Sequence, residues 1–277
     1  MANDLPIGVF DSGMGGLTVL RELMQELPNE SFIYLGDTAR LPYGTKSVET
    51  VKQYAFAMTD LLYQQGIKML VIACNTATAS ALPFLQQQFP ALPIIGVIEP
   101  GANAAVSATK NKDILLLATE TTINSQAYHT AMIQLDPTIK IQTQACGLFV
   151  ALAEEGCVND AVSAEVIKKY LSQYEDANCD TVILGCTHFP VFIDEIQSFF
   201  NRDVTIINSA YETAVTVKKV LQNLLLEIPQ TASRSMQYYV TDLPDRFIRV
   251  SHQFLDLAVE DSDVELITHR VKTEVST

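Results

Sequence analysis

Met69-Leu70-Val71-Ile72-Ala73-Cys74-Asn75-Thr76 is an unbroken apolar run that ends on a thiol, an amide and a hydroxyl. A run that is apolar at successive positions, without alternation, reads as a strand covered on both faces, the habit of strands in parallel sheets. Val182-Ile183-Leu184-Gly185-Cys186-Thr187-His188 repeats the arrangement about one α/β domain further along. Such a repeat is what a duplicated fold leaves behind, each half presenting one thiol from the C-terminal end of a strand. In open α/β sheets that end is where ligands bind.

Working outward, short apolar runs recur at 7–10, 32–35, 94–98, 114–118, 139–145, 204–207 and 237–240. Between them lie stretches of helical period. Val48, Val51, Ala55, Met58 and Leu62 follow Ser47, an N-cap residue, and 161–174, 211–225 and 247–257 continue the pattern. Strands alternating with helices predict an α/β fold built on mostly parallel sheets flanked by helices. Glu99-Pro100-Gly101 and Asn208-Ser209-Ala210 read as chain breaks, so two domains are expected to divide near them. Residues 229–235 read as a loop.

The chain has 277 residues, enough for two cores, and a formal charge of −14 from 18 basic and 32 acidic residues. No more than two basic residues are adjacent, which argues against nucleic acid and anionic membrane as partners. No apolar run reaches the roughly 18 residues of a spanning helix, and the N-terminus carries no secretory pattern, so a cytoplasmic location is expected. The five Cys (74, 146, 157, 179 and 186) are scattered, with no Cys-x-x-Cys pair, which argues against a disulfide framework or a zinc ribbon. No metal and no cofactor is expected.

Asp11-Ser12-Gly13-Met14-Gly15-Gly16 follows the first strand and opens a helical run, where backbone N–H groups can hold an anion. It has neither dinucleotide nor P-loop spacing. Cys74 and Cys186 each sit beside hydroxyl, amide or imidazole groups at a strand exit, where a helix N-terminus lowers a thiol pKa toward neutrality. Cys146, Cys157 and Cys179 lack such neighbours and read as packing residues. Two tuned thiols can flank one carbon and exchange protons with its opposite faces. Alternatively, Cys186 with His188 suits a hydrolase or transferase working through one thiol, although this leaves Cys74 unexplained. A non-catalytic amino-acid sensor is a third reading. Asp37, Glu154, Tyr43, Gly44, Thr119 and Thr122 stand in strand-end loops, where cap and turn roles are the ordinary ones.

Four segments in this order, Asp11 to Gly16, Gly36 to Gly44, Ala73 to Ala77 and Leu184 to Pro190, together with Tyr238 to Asp242, resemble glutamate racemase of bacterial cell-wall synthesis. The resemblance implies a cofactor-independent enzyme that interconverts L- and D-glutamate and supplies D-glutamate for peptidoglycan. It implies two related α/β domains with the active site between them, 1–98 completed by 209–277, and 99–208. Cys74 then matches the thiol acting on D-glutamate and Cys186 the one acting on L-glutamate. Asp11 matches the acid assisting Cys74, and Glu154 and His188 the groups near Cys186. Asp11, Ser12, Tyr43, Gly44, Asn75, Thr76, Thr122, Thr187 and His188 match substrate-binding positions, and Asp37 a further acidic one. Glu120, Gly147 and Ala151 depart from the family pattern. An aspartate racemase-like enzyme would share the thiol pair, and a homodimer is compatible with the family.

Overall fold

Ten strands in two parallel sheets carry the chain in the computed structural model, which describes residues 4–228, 234–255 and 258–267. They are β1 (Ile7–Asp11), β2 (Phe32–Gly36), β3 (Met69–Ile72), β4 (Ile94–Gly96), β5 (Asp113–Ala118), β6 (Lys140–Ala145), β7 (Thr181–Gly185), β8 (Thr205–Asn208), β9 (Met236–Val240) and β10 (Val264–Leu266). The first sheet has the order β10-β9-β2-β1-β3-β4 and the second β6-β5-β7-β8. The four strands β2-β1-β3-β4 of the first therefore repeat the order of the second. The expected duplication is visible as topology, with β3 and β7, the two strands that lead to thiols, in equivalent places. β1, β2, β3 and β7 are buried at every residue, as their continuous apolar runs require. β6 is polar and largely unburied, which suits its place at a sheet edge.

The helix Val48–Gln64 starts where the period places it, and Ser47 Oγ accepts from Thr50 N at 3.2 Å. Ala161–Leu171 is capped by Asp160, whose carboxylate accepts from Val162 N and Ser163 N, and its expected last turn is a 3-10 turn, Ser172–Tyr174. The C-terminal helix runs Pro244–Ser251, earlier than expected; residues 256 and 257 of that expectation, and 229–233 of the expected loop, lie outside the described residues.

Both expected chain breaks are instead helix starts. Glu99, Pro100 and Gly101 lie in the helix Ile98–Ala108, with the proline in the first turn, where its missing N–H has no partner to lose. Ser209 opens the helix Ser209–Asn223, and Asn208 Oδ1 accepts from Ala210 N at 3.1 Å. These two helices pack on each other where the chain passes from one sheet to the other and back.

One apolar core is shared by both sheets. It joins Ile7, Val9 and Tyr34 of the first to Leu115, Leu117, Val182 and Leu184 of the second, with Phe247 and Phe254 from the C-terminal segment. The other face of each sheet has a core of its own, around Phe10, Leu35 and Ile72, and around Ile114, Leu116 and Ile183. At the end of the first sheet where its strands begin, Lys68 Nζ lies 2.6 Å from Glu30 Oε2, with both side chains 3% exposed. Glu30 Oε1 also accepts from Ile228 N at 2.9 Å. This buried pair is far along the strands from the ends that carry the thiols.

Candidate active site

In each sheet the strand order reverses between its first and third strands, β1 and β3 in one and β5 and β7 in the other. Loops that leave a parallel sheet at such a point diverge to opposite faces and open a crevice. Here the two crevices face each other across one narrow cavity. Its wall holds Ser12 after β1, Tyr43 and Gly44 after β2, Cys74, Asn75 and Thr76 after β3, and Glu154, Cys186, Thr187 and His188 from the second sheet's side. Two glycines let the sides meet. A Cβ on Gly15 would collide with the His188 ring and the Thr187 hydroxyl, and one on Gly44 would stand 2.7 Å from Thr119 Cβ.

Cys74 is the N-cap of the helix Asn75–Gln88, and its Sγ accepts from Ala77 N at 3.4 Å and lies 3.5 Å from Ser12 Oγ. The sequence reading expected that position to lower its pKa. The opposite holds: burial, reinforced by the nearby Asp11 charge, pushes the thiol up to about 12. Burial also raises Asp11, against the opposing pull of the His188 charge.

Cys186 has a different neighbour. His188 Nδ1 is 3.8 Å from Cys186 Sγ, and His188 Nε2 is 3.2 Å from Glu154 Oε1. Burial alone would lower the imidazole, but its bonds to Cys186 and Glu154 outweigh that and raise it to about 10. Both thiols are free and line the same cavity. At neutral pH one is held as a neutral thiol, while the other stands beside a cation.

Asp11 and Thr122 do not line the cavity. Asp11 is fully buried behind the wall, with Oδ2 accepting from Gly13 N at 2.9 Å, and Thr122 Oγ1 lies 3.2 Å from Thr76 Oγ1. Asp37 is also buried, and it accepts from Tyr43 Oη at 2.6 Å and from Thr241 Oγ1 at 2.8 Å, so it anchors the tyrosine. Thr119 is the N-cap of the helix Glu120–Asn124, the cap role the sequence suggests, and it is also on the wall, with Oγ1 2.9 Å from Thr76 Oγ1. Sequence reasoning missed two others. Tyr128 Oη donates to Asn75 Oδ1 at 2.8 Å, leaving the buried Asn75 Nδ2 without a partner among the described residues. Arg246 Nη2 lies 3.2 Å from Glu154 Oε2. Neither has a local signal, since their partners stand 53 and 92 residues away. Glu120, Gly147 and Ala151, the departures from the family pattern, are exposed and absent from the wall.

Residues 7–217 match the model of the Asp/Glu/hydantoin racemase family. A glutamate racemase from Geobacter metallireducens is 45% identical over 249 residues, 90% of this chain and 92% of that protein. The chain belongs to the glutamate racemase family. Its two-domain fold is shared with solved glutamate racemases. One from Francisella tularensis, in complex with D-glutamate, has a TM-score of 0.90 at 37% identity, covering 96% of this chain and 98% of that one. Another, from Bacillus anthracis, has a TM-score of 0.92 at 37% identity, covering 98% and 100%. Among the described residues no helix is long and apolar enough to cross a membrane.

The charges of the site predict a stability profile. His188, raised from 6.5 to about 10, contributes stability that is fully present below pH 6.5 and lost as pH rises through about 10. Cys74, raised from 9.0 to about 12, keeps a proton that the unfolded chain releases, so stability falls further across that window. Urea midpoints should therefore decline from pH 6.5 upward, and His188→Asn should flatten the decline below pH 10. A midpoint that rises over this range would contradict the charge assignment.

Proposed function

We propose that the chain interconverts L- and D-glutamate by proton transfer at the α-carbon, without a cofactor, supplying D-glutamate for peptidoglycan in the cytoplasm. The observation that carries this reading is the pair of thiols on one cavity wall, each backed by its own acid–base partner. Removing a proton from one face of a carbon and returning one to the other requires a base and an acid on opposite sides. Cys186, beside the His188 cation, serves as the thiolate that takes the α-proton of L-glutamate. Cys74, held as a thiol, then protonates the opposite face. The reverse reaction exchanges these states, and Asp11 on one side and Glu154–His188 on the other follow the charge as it moves.

Substrate carboxylates are held by neutral donors. Ser12, Asn75, Thr76 and Thr187 line the cavity, and the free Nδ2 of Asn75 is a donor already fixed in place through Tyr128. Among the described residues no cationic side chain other than His188 lines the wall, so the anionic substrate is bound by hydrogen bonds around one positive group. The domain limits 1–98 with 209–277, and 99–208, and a homodimer, belong to the same proposal.

The test is a racemisation assay on both enantiomers without added cofactor, with aspartate as competitor. In D2O, product formed in the first turnovers should carry deuterium at the α-carbon, while remaining substrate stays protiated. The label comes from the second thiol, which exchanges with solvent between turnovers. Substantial protium in early product would mean that one group serves both faces. An acyl-enzyme trapped on Cys186, with Cys74→Ala still active, would favour the single-thiol hydrolase reading.

A further inference from the structure

Glu154 divides its two oxygens between different partners. Oε1 faces His188 Nε2 and Oε2 accepts from Arg246 Nη2, each at 3.2 Å. The carboxylate is 6% exposed and the guanidinium side chain 35%. Arg246 comes from the C-terminal helix Pro244–Ser251, does not line the cavity, and touches neither thiol; its other acidic contact, at 3.3 Å, is the exposed Glu155. The same C-terminal segment sets Phe254 edge-on against the His188 ring, with centroids 5.5 Å apart.

A carboxylate held by donors on both oxygens has its plane fixed, whereas one with a single donor can rotate away from it. A nearly buried carboxylate also needs more than one donor to remain charged, and a proton shared with an imidazole otherwise shifts onto the acid. Removing Arg246 would therefore loosen the His188 ring and drain its charge, and both act directly on Cys186, 3.8 Å from the ring, whereas Cys74 feels His188 only at second hand, through Asp11. Among the described residues, Asp11 and Ser12, which attend Cys74, make no hydrogen bond or ion pair with Arg246.

We propose that Arg246 is a positioning residue: by fixing Glu154 against His188 it governs the proton transfer made by Cys186 far more than that made by Cys74. The proposal rests on the two-thiol reading above. In the governed step the α-C–H bond of L-glutamate breaks and its proton forms an S–H bond on Cys186; in reverse that proton returns to carbon.

Enantiomers have equal free energy, so kcat/KM must fall equally from both sides whichever step is slowed. The asymmetry shows in isotope effects. If Arg246→Gln slows the Cys186 step, that step limits both directions. The α-deuterium isotope effect should then rise on L-glutamate, whose label leaves in that step, and fall toward one on D-glutamate, whose label leaves earlier. kcat should drop by about 10- to 100-fold, the size expected when a catalytic group is mispositioned. Arg246→Lys should restore most of the loss, and Glu155→Gln should behave as wild type. In a Glu154→Gln background, Arg246→Gln should add nothing.

Isotope effects that move together on both enantiomers or do not move, or a loss that persists undiminished in the Glu154→Gln background, would overturn the proposal. Should Arg246→Gln fail to fold, Arg246→Met, which keeps the aliphatic stem but no donor, carries the same isotope comparison. Wild-type turnover of glutamate, and its loss in Cys186→Ser, test the two-thiol reading separately, whatever Arg246 does.

Discussion

Cys74→Ser and Cys186→Ser each lose racemisation from both enantiomers, by about 10²–10⁴-fold, the usual contribution of a positioned acid or base. Every turnover uses both sulfurs, one to take a proton and one to give it. A serine hydroxyl in either place is too weak an acid and, ionised, too rare a base. The loss must be symmetrical in kcat/KM, because the two enantiomers are in equilibrium at equal concentration. Coupled polarimetric or enzymatic assays of product from each side measure it. Near-wild-type turnover in either variant would remove that sulfur from the chemistry. Folding should survive, since each sulfur sits at the end of a strand rather than within a sheet.

The second large effect concerns stability at the other end of the molecule. Lys68→Met should destabilise the fold by roughly 3–5 kcal/mol, the cost of leaving one member of a buried ion pair without its partner. Glu30 would keep the Ile228 N–H, a single neutral donor among the described residues, against its charge. The double variant Lys68→Met/Glu30→Leu should recover most of the loss, because desolvating the pair costs nearly as much as its attraction returns. Urea unfolding measures both. Isotope effects of the folded Lys68→Met protein should match wild type, since the pair lies at the start of the strands and the chemistry at their ends. A loss below about 1 kcal/mol would place the pair among solvent-exposed bridges instead.

The sheets were legible because strands buried on both faces leave unbroken apolar runs, and the thiols because each run ends on one. What stayed hidden depends on contacts distant in sequence. Pro100 looks like a break, yet in a first helical turn it costs nothing, and only the start of that helix distinguishes the two. β10 is three residues long with Glu265 at its centre, too short and too polar to show a pattern. The high Cys74 pKa follows from burial in the tertiary fold and the nearby Asp11 charge, whereas the local sequence shows only the helix N-terminus that pulls the other way. Asp11 and Asp37 were picked out as acids near the chemistry. Their place behind the wall reflects a packing of loops from two sheets that no local pattern encodes.

The strand order of the first sheet has a consequence for how the protein is made. β9 (Met236–Val240) pairs with β2 (Phe32–Gly36), so β2 leaves the ribosome about 200 residues before its neighbour exists. At about 5–20 residues per second that interval is on the order of 10 to 40 s, during which a fully apolar edge is open to wrong partners. The second sheet suffers no such delay, because β5 to β8 are contiguous in the chain. The segment that follows β9 also brings Thr241 to Asp37, Arg246 to Glu154 and Phe254 to His188. A nascent chain can thus own both sulfurs and still be inert, and catalytic competence waits for residues 236–254 to emerge and fold.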